Sequence, residues 1–157
     1  MKRIINEMKL RLPARSENEG VARTAVCAFA AELNPTVDEL ADIRLAVSEA
    51  VTNCVVHAYP ERSEGDRAYI YISARIYDGR EISVEISDNG CGIEDIELAR
   101  TPMYTTGEYG ERCGMGFLIM ENLCDSVAVK SRVGRGTTVL LRKYIGPGRC
   151  DERPERK

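Results

Sequence analysis

A chain of 157 residues is the size of one domain with a single core. Its 43% hydrophobic and 30% charged residues give the balance of a soluble globular protein and exclude a disordered one. A net charge of −3, with basic residues dispersed among acidic ones, offers no footprint for direct nucleic-acid binding, and no apolar run reaches the roughly 20 residues that cross a bilayer.

The first segment, "NEMKLRL", alternates Met8, Leu10 and Leu12 and predicts a strand ending at Pro13. "SENEGVARTAVCAFAAEL" reads as a helix. Ser16 is its expected cap, Glu19 completes a capping box, and Val21, Ala25, Val26, Phe29 and Leu33 form the expected apolar stripe. The longest helical pattern follows, opened by Asn34, Pro35 and Thr36 and closed by Pro60. Val37, Leu40, Ile43, Val47, Val51, Val55 and Ala58 recur along it every three or four residues.

After the polar turn "ERSEGDR", the segments "AYIYISARIY" and "EISVEIS" alternate around "DGR" and predict a hairpin. From about residue 93 to 113 the pattern is ambiguous. "EDIELAR" has the composition for two helical turns, whereas "TPMYTTGEYGERCG" contains a proline and three glycines and suits a functional loop. A short helix at "FLIMENLCD" and two strands at "SVAVKSR" and "TTVLLRK", joined through "VGRG", complete the domain. Residues 1–145 are expected to form it, and residues 146–157 a charged tail. Antiparallel strand pairs with helices between them predict an α+β fold: a two-layer sandwich with helices on one face of a mixed, mainly antiparallel sheet.

Six cysteines, at 27, 54, 91, 113, 124 and 150, form no CxxC pair and follow no secretory signal, so free thiols in a reducing cytoplasm are expected. Three other features carry chemistry. Glu49, Asn53 and His57 stand four residues apart on one helical face. That is either a solvated polar stripe or a ridge on which a carboxylate holds a water and an amide oxygen ligates Mg²⁺. "DNGCGI", at residues 88–93, is either an ordinary strand-end turn or a carboxylate beside backbone that a flat ring or phosphate can approach. In "RCGMGF", Gly114 and Gly116 stand at a helix start whose N–H groups can face phosphate oxygens, with Arg112 nearby; the alternative is a flexible helix entry.

In order and spacing, "SEAVTN", "DNGCGI", "GMGF" and the late "GTT" resemble the N box, two glycine boxes and last adenine contact of the Bergerat-type (GHKL) ATPases, which include gyrase, chaperone ATPases and histidine kinases. "ARSENE", "NPTVDEL", "PMYTT" and "ERCGMGFLIMENLCD" narrow the resemblance to the anti-sigma F factor family of spore-forming bacteria, over residues 4 to 144. The resemblance implies an anti-sigma factor that is also a serine/threonine-protein kinase, cytoplasmic and homodimeric. ATP or ADP and Mg²⁺ would be its cofactors. Its partners would be a sigma F-like sigma factor and a small STAS-type anti-anti-sigma protein phosphorylated on serine.

Carried over residue by residue, the resemblance makes Glu49 the catalytic base and Asn53 the Mg²⁺ ligand. Asp88 would hold the adenine amine with Thr137, while Gly90, Gly92 and Ile93 shape the pocket. Gly114, Met115, Gly116 and Phe117 would lie by the phosphates, with Arg112 near the γ-phosphate. Residues 95–113 would form a lid containing Thr105 and Thr106. Glu19 and Arg23 match positions that meet protein partners; the alternative for them is an exposed ion pair. Two other functions stay open: a general-stress type of anti-sigma kinase with other partners, and a nucleotide-gated binding module with little catalysis. The presence of Glu49 argues against the second, because a pure binder has no use for a base there.

Overall fold

The computed structural model describes residues 2–61, 67–102 and 115–146. Five strands run β1 (Ile4–Pro13), β2 (Tyr69–Tyr77), β3 (Glu81–Asp88), β4 (Ser126–Arg132) and β5 (Gly136–Tyr144). They form one sheet in the order β1-β2-β3-β5-β4, with every neighbouring pair antiparallel. The helices are α1 (Glu17–Ala30), α2 (Val37–His57), α3 (Ile96–Ala99) and α4 (Gly116–Leu123), with a 3-10 turn at Ala31–Leu33. This is the two-layer α+β sandwich expected from the element order.

Alternation along β2 and β3 separates the faces of the sheet. Ile70, Ile72, Ala74 and Ile76 on β2, and Ile82, Val84 and Ile86 on β3, point into the core with Val139 and Leu141 of β5. Against them α2 buries Ile43, Ala46, Val47, Ala50, Val51 and Cys54. Because α2 packs on both α1 and α4, it is the central helix of its layer.

Two helical expectations change. Ser16 makes no capping hydrogen bond, because its backbone is already in the helical region at φ −57° and ψ −35°. The capping box forms one helix later. Thr36 Oγ1 accepts from the Glu39 N–H at 3.1 Å, and the Glu39 carboxylate accepts from the Thr36 N–H at 2.8 Å. The expected stripe of α1 holds in part: Val26 and Leu33 are buried and Phe29 packs against the core, but Val21 does not join them. Ala22 and Ala30 are buried beside Val26, whereas Val21 is 49% exposed. The segment "EDIELAR" makes the short helix α3, whose N-cap Asp95 accepts from the Leu98 N–H at 2.9 Å.

Candidate functional site

Asp88 is the last residue of β3 and continues the inward set of Ile82, Val84 and Ile86. Period-two alternation therefore puts a carboxylate where the core ends, only 6% exposed. Its Oδ1 accepts from the Gly90 N–H at 2.9 Å and the Thr137 N–H at 3.3 Å, and neither bond falls on Oδ2. The thiol of Cys54, on α2, lies near the same carboxylate. Burial raises the Asp88 pKa above the usual aspartate value, against the lowering effect of these donors. Burial and then the nearby Asp88 charge push Cys54 well up, so its thiol stays protonated.

The loop after Asp88 is fastened to the end of α2. Gly90 lies so close to it that an added Cβ would stand 2.0 Å from the Ala58 carbonyl oxygen. The Cys91 N–H donates to that same oxygen at 2.7 Å, and the Cys91 thiol donates to the His57 carbonyl at 3.3 Å. Gly92 turns at φ 77°, with the Arg132 carbonyl beside it. Next, the Ile93 N–H donates to Ser131 Oγ at 2.8 Å, and that hydroxyl pairs with Thr137 Oγ1 at 2.8 Å. Ser131 thus ties the loop after Asp88 to β5, a role with no sequence signal beyond a serine in an alternating strand.

On α2, Glu49 and Asn53 face the start of α4. A Cβ added to Gly116 would lie 3.1 Å from Glu49 Oε2, 3.6 Å from Asn53 Oδ1 and 3.7 Å from Asn53 Nδ2. The absence of a side chain at Gly116 lets the N-terminal N–H groups of α4 approach a carboxylate and an amide on one ridge. Phe117 and Met120 anchor α4 in the core, while Met115 is half-buried at its N-cap. At the other end, Lys143 Nζ donates to the Leu123 carbonyl at 2.7 Å and to Asp42 at 2.9 Å, joining α4 to β5 and α2. Thr105, Thr106, Arg112 and Gly114, and most of the expected lid, lie outside the described residues. The described start of that segment is tied to α4 by an ion pair of Arg100 with Glu121.

Glu19 and Arg23 do form an i,i+4 ion pair, at 3.3 Å, but it is not isolated. Thr52 Oγ1 on α2 donates to Glu19 Oε2 at 3.0 Å. These residues line a groove of about 360 Å³ between α1 and α2, together with Arg44, Ser48 and Glu49. Glu49 therefore borders both this groove and the approach to Gly116. Cys27, Cys54, Cys91 and Cys124 are free thiols, and no cluster of His, Cys, Asp and Glu suited to a metal occurs among the described residues. No helix among those residues is long and apolar enough to cross a membrane.

Residues 12–143 match the family model described as a histidine kinase-like ATPase domain. Among curated proteins, the anti-sigma F factor of Caldanaerobacter subterraneus subsp. tengcongensis is 49% identical over 92% of this chain and 97% of its own length. That of Geobacillus kaustophilus is 50% identical, with the same coverage of both chains. Among solved structures, the RsbU and RsbW domains of a Mycobacterium tuberculosis protein superpose with a TM-score of 0.64 at 18% identity, over 89% of this chain and 32% of that one. The histidine kinase domain of the blue-light activated kinase EL346 from Erythrobacter litoralis gives 0.54 at 19% identity, over 81% of this chain and 61% of that one. At such identities the two structures attest the fold.

Proposed function

This chain belongs to the histidine kinase-like ATPase family, among its anti-sigma F factors, and on that premise we propose two activities for it: inhibition of a sporulation sigma factor by binding, and ATP-dependent phosphorylation of a serine on the anti-anti-sigma protein that opposes it. The observation that carries the kinase half is the placement of Glu49 and Asn53 together against Gly116, with Asp88 anchored separately at the end of β3.

The residues fit a nucleotide with one divalent cation. Asp88 Oδ2 is spared by the backbone donors that hold Oδ1, so it suits an exocyclic amine of adenine. Asn53 offers a neutral oxygen of the kind Mg²⁺ accepts when phosphates and waters supply its remaining ligands. The start of α4 presents N–H groups and the positive end of a helix dipole to a phosphate chain. Met115, Gly116 and Phe117 would stand along that chain, with Gly92, Ile93 and Thr137 around the base. Bound Mg²⁺ would neutralise charge on the phosphates during transfer.

Chemistry then asks this chain for a base and for alignment. Glu49 takes the proton of the incoming serine hydroxyl, from a position that borders both the glycine box and the α1–α2 groove. Glu19 and Arg23, held in place by Thr52, meet the protein partners at that groove. The active form is a cytoplasmic homodimer whose sigma-factor affinity follows the bound nucleotide. Radiolabelled ATP tests the reading: label should enter a serine of the anti-anti-sigma protein, and sigma factor should co-purify with ATP present. ATP binding without either result would overturn it.

A further inference from the structure

We infer that Tyr59 is a positioning residue for base recognition: its phenol fixes the peptide that follows Asp88 and so aims the carboxylate at the adenine amine. This rests on the reading of Asp88 as the adenine contact.

Tyr59 lies just past α2, half-buried, and its hydroxyl uses both of its hydrogen-bonding capacities. It donates to the Tyr69 carbonyl, at the first residue of β2, at 2.7 Å. It accepts from the Asn89 N–H at 3.0 Å. That N–H belongs to the peptide joining Asp88 to Asn89, so the phenol sets the plane of the peptide immediately after the carboxylate. Burial raises the Tyr59 pKa, which keeps the proton needed for the Tyr69 bond.

The consequence for Asp88 follows from the next bond. The Gly90 N–H closes an Asx turn on Asp88 Oδ1, and such a turn fixes the side chain only as well as the two intervening peptides are fixed. Tyr59 holds the first. The second ends at Gly90, which is pressed against the Ala58 carbonyl, one residue before Tyr59. The Asn89 side chain adds a longer bond from its amide nitrogen to the Tyr71 hydroxyl, at 3.4 Å. The segment Ala58–Tyr59 is thus a template on which residues 88–91 are laid. Tyr59 itself touches no reacting atom.

Phenylalanine in place of Tyr59 removes both hydrogen bonds and keeps the ring. The test is the affinity of the full-length chain for ATP and for inosine triphosphate, which carries a 6-oxo group in place of the 6-amino group. Tyr59→Phe is expected to weaken ATP about tenfold, the scale of two lost hydrogen bonds, and inosine triphosphate by less than about twofold. In an Asp88→Asn background the same change should cost ATP less than about twofold, since residues acting as one unit are not additive. Equal weakening of both nucleotides, or full additivity with Asp88→Asn, would overturn the inference and leave Tyr59 a purely structural residue.

Hydrogen exchange on the unaltered chain gives a second test that needs no variant. The Asn89 amide should be protected without nucleotide; exchange at the rate of a free peptide contradicts the inference. A wild-type chain that binds no ATP would overturn the ATP reading itself. Tight ATP binding with unchanged discrimination in Tyr59→Phe would overturn the Tyr59 inference alone.

Discussion

Gly116, at the first turn of α4, lies within reach of Glu49 on α2: a Cβ placed on it would stand 3.1 Å from Glu49 Oε2. That spacing is tighter than an ordinary van der Waals contact, and the side chain it presses on is the one assigned to proton removal. Gly116→Ala should therefore separate stability from activity. Alanine favours a helix over glycine by about 1 kcal/mol, so the melting temperature should hold or rise. Displacement of Glu49 by a few tenths of an ångström should slow phosphoryl transfer, by roughly tenfold on the scale set by misaligned reacting groups. Thermal melting and single-turnover phosphorylation on the same preparation check both halves.

Asp88→Asn should give the opposite separation at the adenine end. The substituted amide would keep an oxygen for the Gly90 and Thr137 N–H groups but lose the charge that burial disfavours. Because burial raises the folded pKa of Asp88, the folded chain binds this proton more tightly than the unfolded chain. Below the ordinary aspartate range of about 4 both states are protonated and the group costs nothing. As pH rises through the raised pKa the cost appears in full, so wild-type stability falls across that window. Asp88→Asn should remove this fall, melt higher than wild type at neutral pH, and bind ATP at least tenfold more weakly, about the loss of one charge-assisted hydrogen bond. Melting curves against pH, with nucleotide titration, measure both.

Gly90→Ala should damage fold and site together. Its Cβ would sit 2.0 Å from the Ala58 carbonyl oxygen, which is backbone and has little freedom to yield. A destabilisation of about 2 kcal/mol or more is expected, as for overpacking in a rigid site. Denaturant unfolding with an unchanged m-value would measure it.

Thr52→Val keeps the shape of the side chain and removes the bond from Thr52 Oγ1 to Glu19 Oε2. The loss to folding should be about 1 kcal/mol. A larger effect is expected on partner affinity, because Glu19 and Arg23 would lose their fixed relation to α2. Calorimetry with sigma factor, set beside the melting temperature, distinguishes the two.

The placement of the candidate site residues was legible because each stands in a pattern with one spatial meaning. Spacing of four on a helix puts Glu49 and Asn53 on one ridge, and alternation on a strand puts Asp88 at the core boundary. What the sequence could not reveal depended on tertiary partners. Ser16 to Glu19 and Thr36 to Glu39 are equally good capping patterns; only the second forms, because Ser16 is already in the helical region whereas Thr36 is extended, and Glu19 bonds Thr52 across the helix pair. Along the α1 stripe, Val26 and Leu33 are buried as expected, but Ala22 and Ala30 are buried where Val21 is exposed, a difference that apolar spacing alone does not resolve. Tyr59 reads in the sequence as no more than the end of a helix, since its two partners lie 10 and 30 residues away.

Glu49→Gln gives the most direct test of the account. The full-length variant, its ATP affinity measured first, is incubated with radiolabelled ATP, Mg²⁺ and the anti-anti-sigma protein, and label on serine is followed against wild type. Wild-type transfer, with a loss of about 10²- to 10⁴-fold in the variant at unchanged ATP affinity, is the expected result for a missing general base. Transfer by the variant at the wild-type rate would contradict the role of Glu49, and absence of transfer by an ATP-bound wild-type chain would contradict the kinase itself.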